Sequence, residues 1–190
     1  MTLKDYQYYA VRTMANLGDI KKDLSHMALG LGGELSEIFE AKTLVNKLEE
    51  IGDQFWYLAC YCTIRGISME DITSDIIKRR VDLDEIFISL VCNISKLQDV
   101  VKKYTVYNKE IDERIELMLL KDIYIDLISY GCLYEESSLS NVLQKNIDKL
   151  RVRYPEKYQD HLAVNRNLDE EYKVLGSDYD YDKTTAYYSK

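Results

Sequence analysis

The chain has 190 residues, a mass of 22.3 kDa and a formal charge of -8, from 25 Lys and Arg against 33 Asp and Glu. One domain, or two small fused ones, fits that length. The acid excess excludes a general binder of nucleic acid or membrane surfaces, which needs a basic face, but leaves small phosphates open because metal ions bridge them to acids. One Pro and eight Gly are too few for a turn-rich β-sandwich or barrel, so long helices and an all-α fold are expected.

Apolar residues recur at helical spacing almost throughout. A first helix is expected near residues 3–16, followed by a break at Leu17-Gly18-Asp19. The second starts at Asp23–Ser25 and runs to Thr43, and the third runs from Val45 to Arg65 with Gly66 as its C-cap. Ser68 N-caps a short helix, with Asp71 at the capping-box position. Long helices follow near 82–104 and 109–133, then one from Ser138 to Arg153 that stops before Pro155, and a further helical piece near 156–174. The domain therefore spans 1–175, and the polar, Tyr-rich segment 176–190 reads as a solvated tail.

The N-terminal residues lack the apolar stretch of a signal peptide, and no apolar run approaches the roughly 20 residues that span a bilayer. A soluble, cytoplasmic protein is expected. Cys60, Cys62, Cys92 and Cys132 each fall in an apolar helical pattern and read as buried free thiols. Cys60 and Cys62 point to nearly opposite sides of one helix, and His26 and His161 are far apart, so neither pair clasps a metal by spacing.

The sequence admits an internal repeat of low identity. Ala28–Lys42 can be laid on Phe87–Val101, Ile51–Tyr61 on Leu120–Tyr130, and Ser68–Lys78 on Ser138–Asp148. Such a duplication gives two helical hairpins packed face to face as a four-helix core, with N- and C-terminal helices added.

The segment Leu29–Leu58 carries the chemistry. Glu34 and Glu37 are three apart and share a helix face, and Glu50 and Asp53 repeat that spacing on the next helix. The connection between those helices is short, so they are antiparallel neighbours and four carboxylates can converge. Four converging negative charges repel one another unless cations sit among them, and hard oxygen ligands suit Mg²⁺ or Mn²⁺. The same spacing also describes a solvated acidic face, and it does not choose between Glu49 and Glu50. Gly30, Gly32 and Gly33 favour convergence, because glycines inside a helix need a compensating close approach. Tyr57 lies four residues after Asp53 on the same stripe, so its hydroxyl can reach the site. No Gly-rich loop ending in Lys-Ser/Thr is present, which excludes a P-loop NTPase.

At these residues the sequence resembles the MazG-like, all-α nucleoside triphosphate pyrophosphohydrolases, a group that includes dimeric dUTPases and dCTP pyrophosphatases. The family's Glu-x-x-Glu, spacer, Glu-x-x-Asp pattern matches Glu34-Leu35-Ser36-Glu37 and Glu50-Ile51-Gly52-Asp53. Tyr6-Gln7 with Ala10, Arg12 and Thr13 is similar to the opening helix of phage and bacterial members, and Asn146 to Pro155 to their closing element. The resemblance covers 1–67 and 138–175, while 80–135 matches poorly.

It implies Mg²⁺-dependent cleavage between the α and β phosphates of a nucleotide, with Glu34, Glu37, Glu50 and Asp53 as ligands and Glu37, beside Glu34, as the proton acceptor. Lys149 and Arg153, four apart on one helix face, would pair with phosphate oxygens, although a solvated basic patch at a helix C-terminus fits them equally. Gln7 and Tyr57 would contact base or sugar, and Asn146 would also bind substrate. His26 and His161 read first as surface or helix-start histidines, with a place for His26 in the nucleotide pocket as the alternative. Under the repeat, Glu34 falls on Asn93, Glu37 on Lys96, Glu50 on Leu119 and Asp53 on Asp122, so the second hairpin is degenerate. The partner is then a small-molecule nucleotide rather than nucleic acid or membrane, and two chains can associate as a homodimer.

Overall fold

The computed structural model describes residues 1–73, 82–132 and 138–176. Among them are eight α-helices and no strand: α1 (Leu3–Val11), α2 (Ile20–Glu40), α3 (Leu44–Ile64), α4 (Leu83–Tyr107), α5 (Glu113–Cys132), α6 (Leu139–Arg153), α7 (Asp160–Val164) and α8 (Leu168–Leu175). The all-α expectation holds. No described helix is long and apolar enough to cross a membrane.

The centre is a four-helix arrangement. Hairpin α2–α3 packs on hairpin α4–α5 through α2 against α4 and α3 against α5. On α2 the buried stripe is Leu24, Met27, Ala28, Leu31, Leu35 and Ile38, a three-and-four spacing that presents one face to the core. On α3 it is Ile51, Phe55, Leu58, Ala59 and Cys62. Each fully buried Leu, Ile or Phe contributes about 1.5–3 kcal/mol relative to exposure. Aromatic contacts join the hairpins: Phe39 meets Phe87, and Phe55 meets Tyr124 edge-on at a centroid distance of 5.8 Å. Near the other end Glu116 of α5, buried, accepts from Tyr61 (2.7 Å) and from Arg65 (2.8 and 2.9 Å). Helices α1 and α6 close over α3, and α8 lies on α6.

Several boundaries differ from the sequence expectation, each for a local reason. Helix α1 stops at Val11 because the Ala10 carbonyl is taken by the Thr13 hydroxyl (2.8 Å) and the Trp56 indole (3.0 Å). Helix α2 starts earlier, at Ile20, since Asp19 caps the amide of Lys21 (2.8 Å). Gly18 supplies the positive φ of 72° for that turn, and buried Asp23 holds it by accepting from the Leu17 amide (2.9 Å). Thr43 is the N-cap of α3 rather than the end of α2.

No helix follows Ser68 within the described residues. The Gln7 side chain takes the Ile67 carbonyl (2.9 Å) and the Met69 amide (2.9 Å), and turns follow. The rest of that expected helix, from 74 on, lies outside the described residues, as does the tail from 177. The expected helix at 156–174 is two pieces, α7 and α8, the second capped by Asn167. Cys60 and Cys62 are buried free thiols, whereas Cys92 is exposed, because it lies on the outer face of α4. The Cys132 side chain lies outside the described residues.

The glycines of α2 do different things. A Cβ on Gly30 would overlap the Tyr57 ring and one on Gly32 the Gln98 amide, whereas one on Gly33 would meet nothing within 4 Å. Gly30→Ala is therefore expected to cost about 1–3 kcal/mol through forced displacement of the ring. Gly33→Ala is expected to add about 0.5–1 kcal/mol by removing glycine's entropy penalty from a helix interior. Urea denaturation of both variants checks the opposite signs.

Candidate functional site

Midway along the α2–α3 hairpin, Glu34, Glu50 and Asp53 each offer a carboxylate oxygen, and these oxygens lie within 4.8 Å of one another. The antiparallel pairing puts Glu34, late in α2, beside the early part of α3, where Glu50 and Asp53 share a face three residues apart. Glu37, one turn further along α2, is exposed and stands outside that group of three.

The close approach has an electrostatic cost. Burial pushes the carboxyl of Glu34 well above the ordinary glutamate range, and the charges of Asp53 and Glu37 push it further. Burial does the same to Glu50, reinforced by Asp53 and Glu49. Glu37, although its surface meets solvent, is raised too, first by the burial of part of it and then by Asp53 and Glu49. Glu34 and Glu50 are also in side-chain hydrogen-bonding contact, so a proton between them offsets part of the repulsion.

Helix α6 supplies the positive charge. The Lys149 ammonium, only 1% exposed, donates to Asp53 Oδ1 (2.8 Å) and Oδ2 (2.6 Å) and to Glu49 Oε1 (3.2 Å). Burial by itself would lower its pKa, but Asp53 and Glu49 outweigh that, and Lys149 is held charged. Asn146, one turn earlier on α6, donates to Asp53 Oδ1 at 2.7 Å. Its own carbonyl oxygen accepts from the Tyr6 hydroxyl (2.9 Å), which also reaches the Gly52 carbonyl (3.2 Å). Gly52 is needed there, since a Cβ would stand 3.0 Å from the Asn146 Cβ. Asp53 is thus fixed from α1, α3 and α6 together.

The other expected site residues are spread more widely. The Tyr57 ring packs edge-on to His26 at 6.0 Å, and burial, followed by Glu34 and Asp53, raises its hydroxyl pKa, which places it beside the cluster. Arg153 is committed to Glu171 of α8 (3.0 and 2.5 Å), which also takes Arg166 (2.7 Å). Gln7 is bonded to Thr63, Ile67 and Met69. Thr63 is ten residues beyond Asp53, about 15 Å along α3, so Gln7 is not brought to the cluster. Of the five side chains expected on substrate, the structure brings Tyr57, Asn146 and Lys149 to the acids, the last two by direct bonds to Asp53.

Glu49 and Glu50, equivalent by spacing, are separated by the fold: Glu50 joins the triad and Glu49 pairs with Lys149. Tyr6 as a support of Asn146 and Gln54 as a buried neighbour of Asp53 were not foreseen. Gln54 donates to the Leu31 carbonyl (2.8 Å), and its Oε1 is buried with no hydrogen-bond partner among the described residues. Its place in an apolar run gave no signal of this.

A cleft of about 620 Å³ opens over the first half of α2, its lining including Lys21, Lys22, Ser25, His26, Leu29 and Tyr158 but none of the acids. The His26 Nδ1 is buried and has no hydrogen-bond partner among the described residues. In the second hairpin the aligned position of Glu34 is Asn93, buried, which donates to Asp126 Oδ2 at 3.1 Å, as does Ser89 at 2.8 Å. The inward-facing acid there is Asp126 rather than Asp122, which is half-buried.

An all-α bundle with a carboxylate triad inside one hairpin is the class that fold and site define. The chain matches no protein-family model, no curated protein and no solved structure.

The three-oxygen donor set fits a hard divalent cation such as Mg²⁺ or Mn²⁺. The raised carboxyls fit it too, since a cation answers the repulsion that a proton otherwise offsets. Linkage fixes the sign of a test. Glu34 and Glu50 have raised pKa values in the folded state, so the unfolded chain binds fewer protons than the folded one above pH 4.5, the ordinary value. Stability is fully present below that value and is lost as pH rises through the raised ones. Without divalent ions, Tm is expected to fall between about pH 5 and about pH 10, through the raised values of Glu34 and then Glu50, and Glu50→Gln should flatten the upper part of the fall. The Tm gain from added Mg²⁺ should grow over the same interval as the competing protons leave. A scanning-calorimetry series with and without chelator checks both.

Proposed function

We propose that the protein is a divalent-metal-dependent nucleoside triphosphate pyrophosphohydrolase, cleaving a dNTP or related nucleotide to the monophosphate and pyrophosphate. The observation that carries this reading is the convergence of Glu34, Glu50 and Asp53 to within 4.8 Å, in the two helices where the sequence resembles MazG-like enzymes.

Glu34, Glu50 and Asp53 would hold the ion. A divalent ion bound there supplies charge neutralisation of the triphosphate and makes a nearby water more acidic. Glu37, outside the triad and with its pKa raised, is the carboxylate left to accept the proton as water attacks the α-phosphorus. The bond from that phosphorus to the α–β bridging oxygen breaks, and pyrophosphate leaves. Tyr57, beside the acids and edge-on to His26, would orient the nucleoside.

A second reading, a nucleotide-binding module with little turnover, is favoured by one observation: the ammonium of Lys149 already lies on both Asp53 oxygens. Incubation with NTPs, dNTPs and guanosine tetraphosphate, with Mg²⁺ and with chelator, separates the two. Metal-dependent pyrophosphate release at about 1 s⁻¹ or faster is expected. Nucleotide binding without turnover would favour the module, and absence of both would remove the nucleotide reading.

Substitutions test the asymmetry of the hairpins. Asp53→Ala is expected to lower kcat by about a hundredfold or more, because a ligand and its positioning are lost together. Asp122→Ala, in the hairpin whose aligned positions are Asn93, Lys96 and Leu119, should leave kcat within about threefold. Comparable losses from both would show that the second hairpin takes part in the chemistry.

A further inference from the structure

An ammonium has three N–H donors, and in Lys149 each has a carboxylate oxygen: Asp53 Oδ1 at 2.8 Å, Asp53 Oδ2 at 2.6 Å and Glu49 Oε1 at 3.2 Å. With the side chain 1% exposed and its donors used, none is left for a phosphate oxygen in this arrangement. Asp53 Oδ1 also accepts from Asn146. A cation that coordinates Asp53 at the about 2.1 Å usual for Mg²⁺ must therefore share an oxygen with a positively charged neighbour or displace it. Glu49 lies one helical turn from Asp53 on α3, and the ammonium already touches it, so Lys149 has a second carboxylate to lean on without leaving the interior.

We propose that Lys149 is a positioning residue and the resident counter-cation of the acid triad: it holds Asp53 in place and competes with the divalent ion for that carboxylate, yielding toward Glu49 when the ion binds. The inference deepens the preceding reading, resting on its premise that the triad takes a divalent cation and not on which substrate is cleaved. Lys149 then touches no phosphate. It sets how tightly the ion is held, and it keeps the ion-free triad from flying apart by leaving Asp53 neutralised.

The test uses Mn²⁺ alone, titrated calorimetrically into the full chain and into Lys149→Met, Lys149→Gln and Lys149→Arg, with circular dichroism to confirm that each is folded. Removal of a positive charge beside the site should tighten Mn²⁺ binding about tenfold or more in the Met and Gln variants. The Arg variant, which keeps the charge, should stay within about threefold of the parent. Tighter binding also counts in favour if only the neutral variants bind measurably. Unchanged or weaker Mn²⁺ binding in a folded Met or Gln variant would overturn the inference, as would the absence of Mn²⁺ binding in every form. Pyrophosphate titrated with Mn²⁺ gives a second readout: a direct phosphate ligand would lose pyrophosphate affinity with no gain for Mn²⁺, which also overturns it. Since no step involves turnover, failure of the pyrophosphohydrolase reading leaves the Mn²⁺ result interpretable, and failure of the Mn²⁺ result leaves the nucleotide panel untouched.

Discussion

Five carboxylates, Glu34, Glu37, Glu49, Glu50 and Asp53, stand on two adjacent helices around one buried ammonium. That imbalance of charge is the constraint on which the rest of the site depends. Ionising all five against a single Lys149 would put several like charges in a medium that screens them poorly. The structure answers in three ways. Lys149 offsets one of the two charges of Asp53 and Glu49, protons held by the raised carboxyls relieve Glu34 and Glu50, and Glu37 is left toward solvent. Each answer is local, yet Lys149 comes from α6 and its orientation depends on how α6 packs on α3. The closing helix of the chain is thereby part of the acid site, which gives a physical reason for its place against the first hairpin.

The helices can approach closely enough for this because small residues stand where side chains would block them. Gly52 lets α6 bring Asn146 against α3, and Gly30 lets the Tyr57 ring lie on α2. The Tyr6 hydroxyl then reaches both Asn146 and the Gly52 carbonyl. The bonded chain Tyr6–Asn146–Asp53 turns the packing of α1 into the orientation of a carboxylate. In a partly buried site a carboxylate restrained by two donors besides its backbone spends little entropy on being positioned, which is what coordination of a metal by few protein ligands requires.

Much of this was legible in the sequence, and the limits follow from range. Helical period and the paired three-residue spacings placed Glu34, Glu50 and Asp53 on facing stripes, because a helix fixes the direction of each side chain relative to its neighbours. The same logic assigned a packing role to the α2 glycines, which Gly30 and Gly32 have and Gly33 lacks. Partners from distant segments were not legible. Lys149 and Arg153 read as a basic pair on one face of α6, a correct statement of period that says nothing of Asp53 or Glu171 waiting opposite. Gln7 was drawn toward substrate by resemblance, but its amide serves the turn after α3. Choosing between Glu49 and Glu50 required knowing on which side α6 would arrive. Helix ends moved wherever a side chain took a backbone carbonyl, as Trp56 and Thr13 do at Ala10.

The second hairpin shows what the same architecture does without the charge problem. Where α2 carries Glu34, α4 carries Asn93, whose amide donates inward to Asp126, and Ser89 adds a second donor. Donors and an acid are mixed within that hairpin, so its polar centre is bonded through neutral groups of its own. The first hairpin has acids on both helices and imports its cation from α6. The two hairpins thus handle their polar centres differently. In the second hairpin Asp126 takes donors from Asn93 and Ser89 of α4, and Glu116 of α5 takes Tyr61 and Arg65 from α3. The first hairpin is left short of positive charge of its own, and the packing of α1 and α6 around Asp53 holds that deficit in place, with Lys149 as the ammonium that answers part of it.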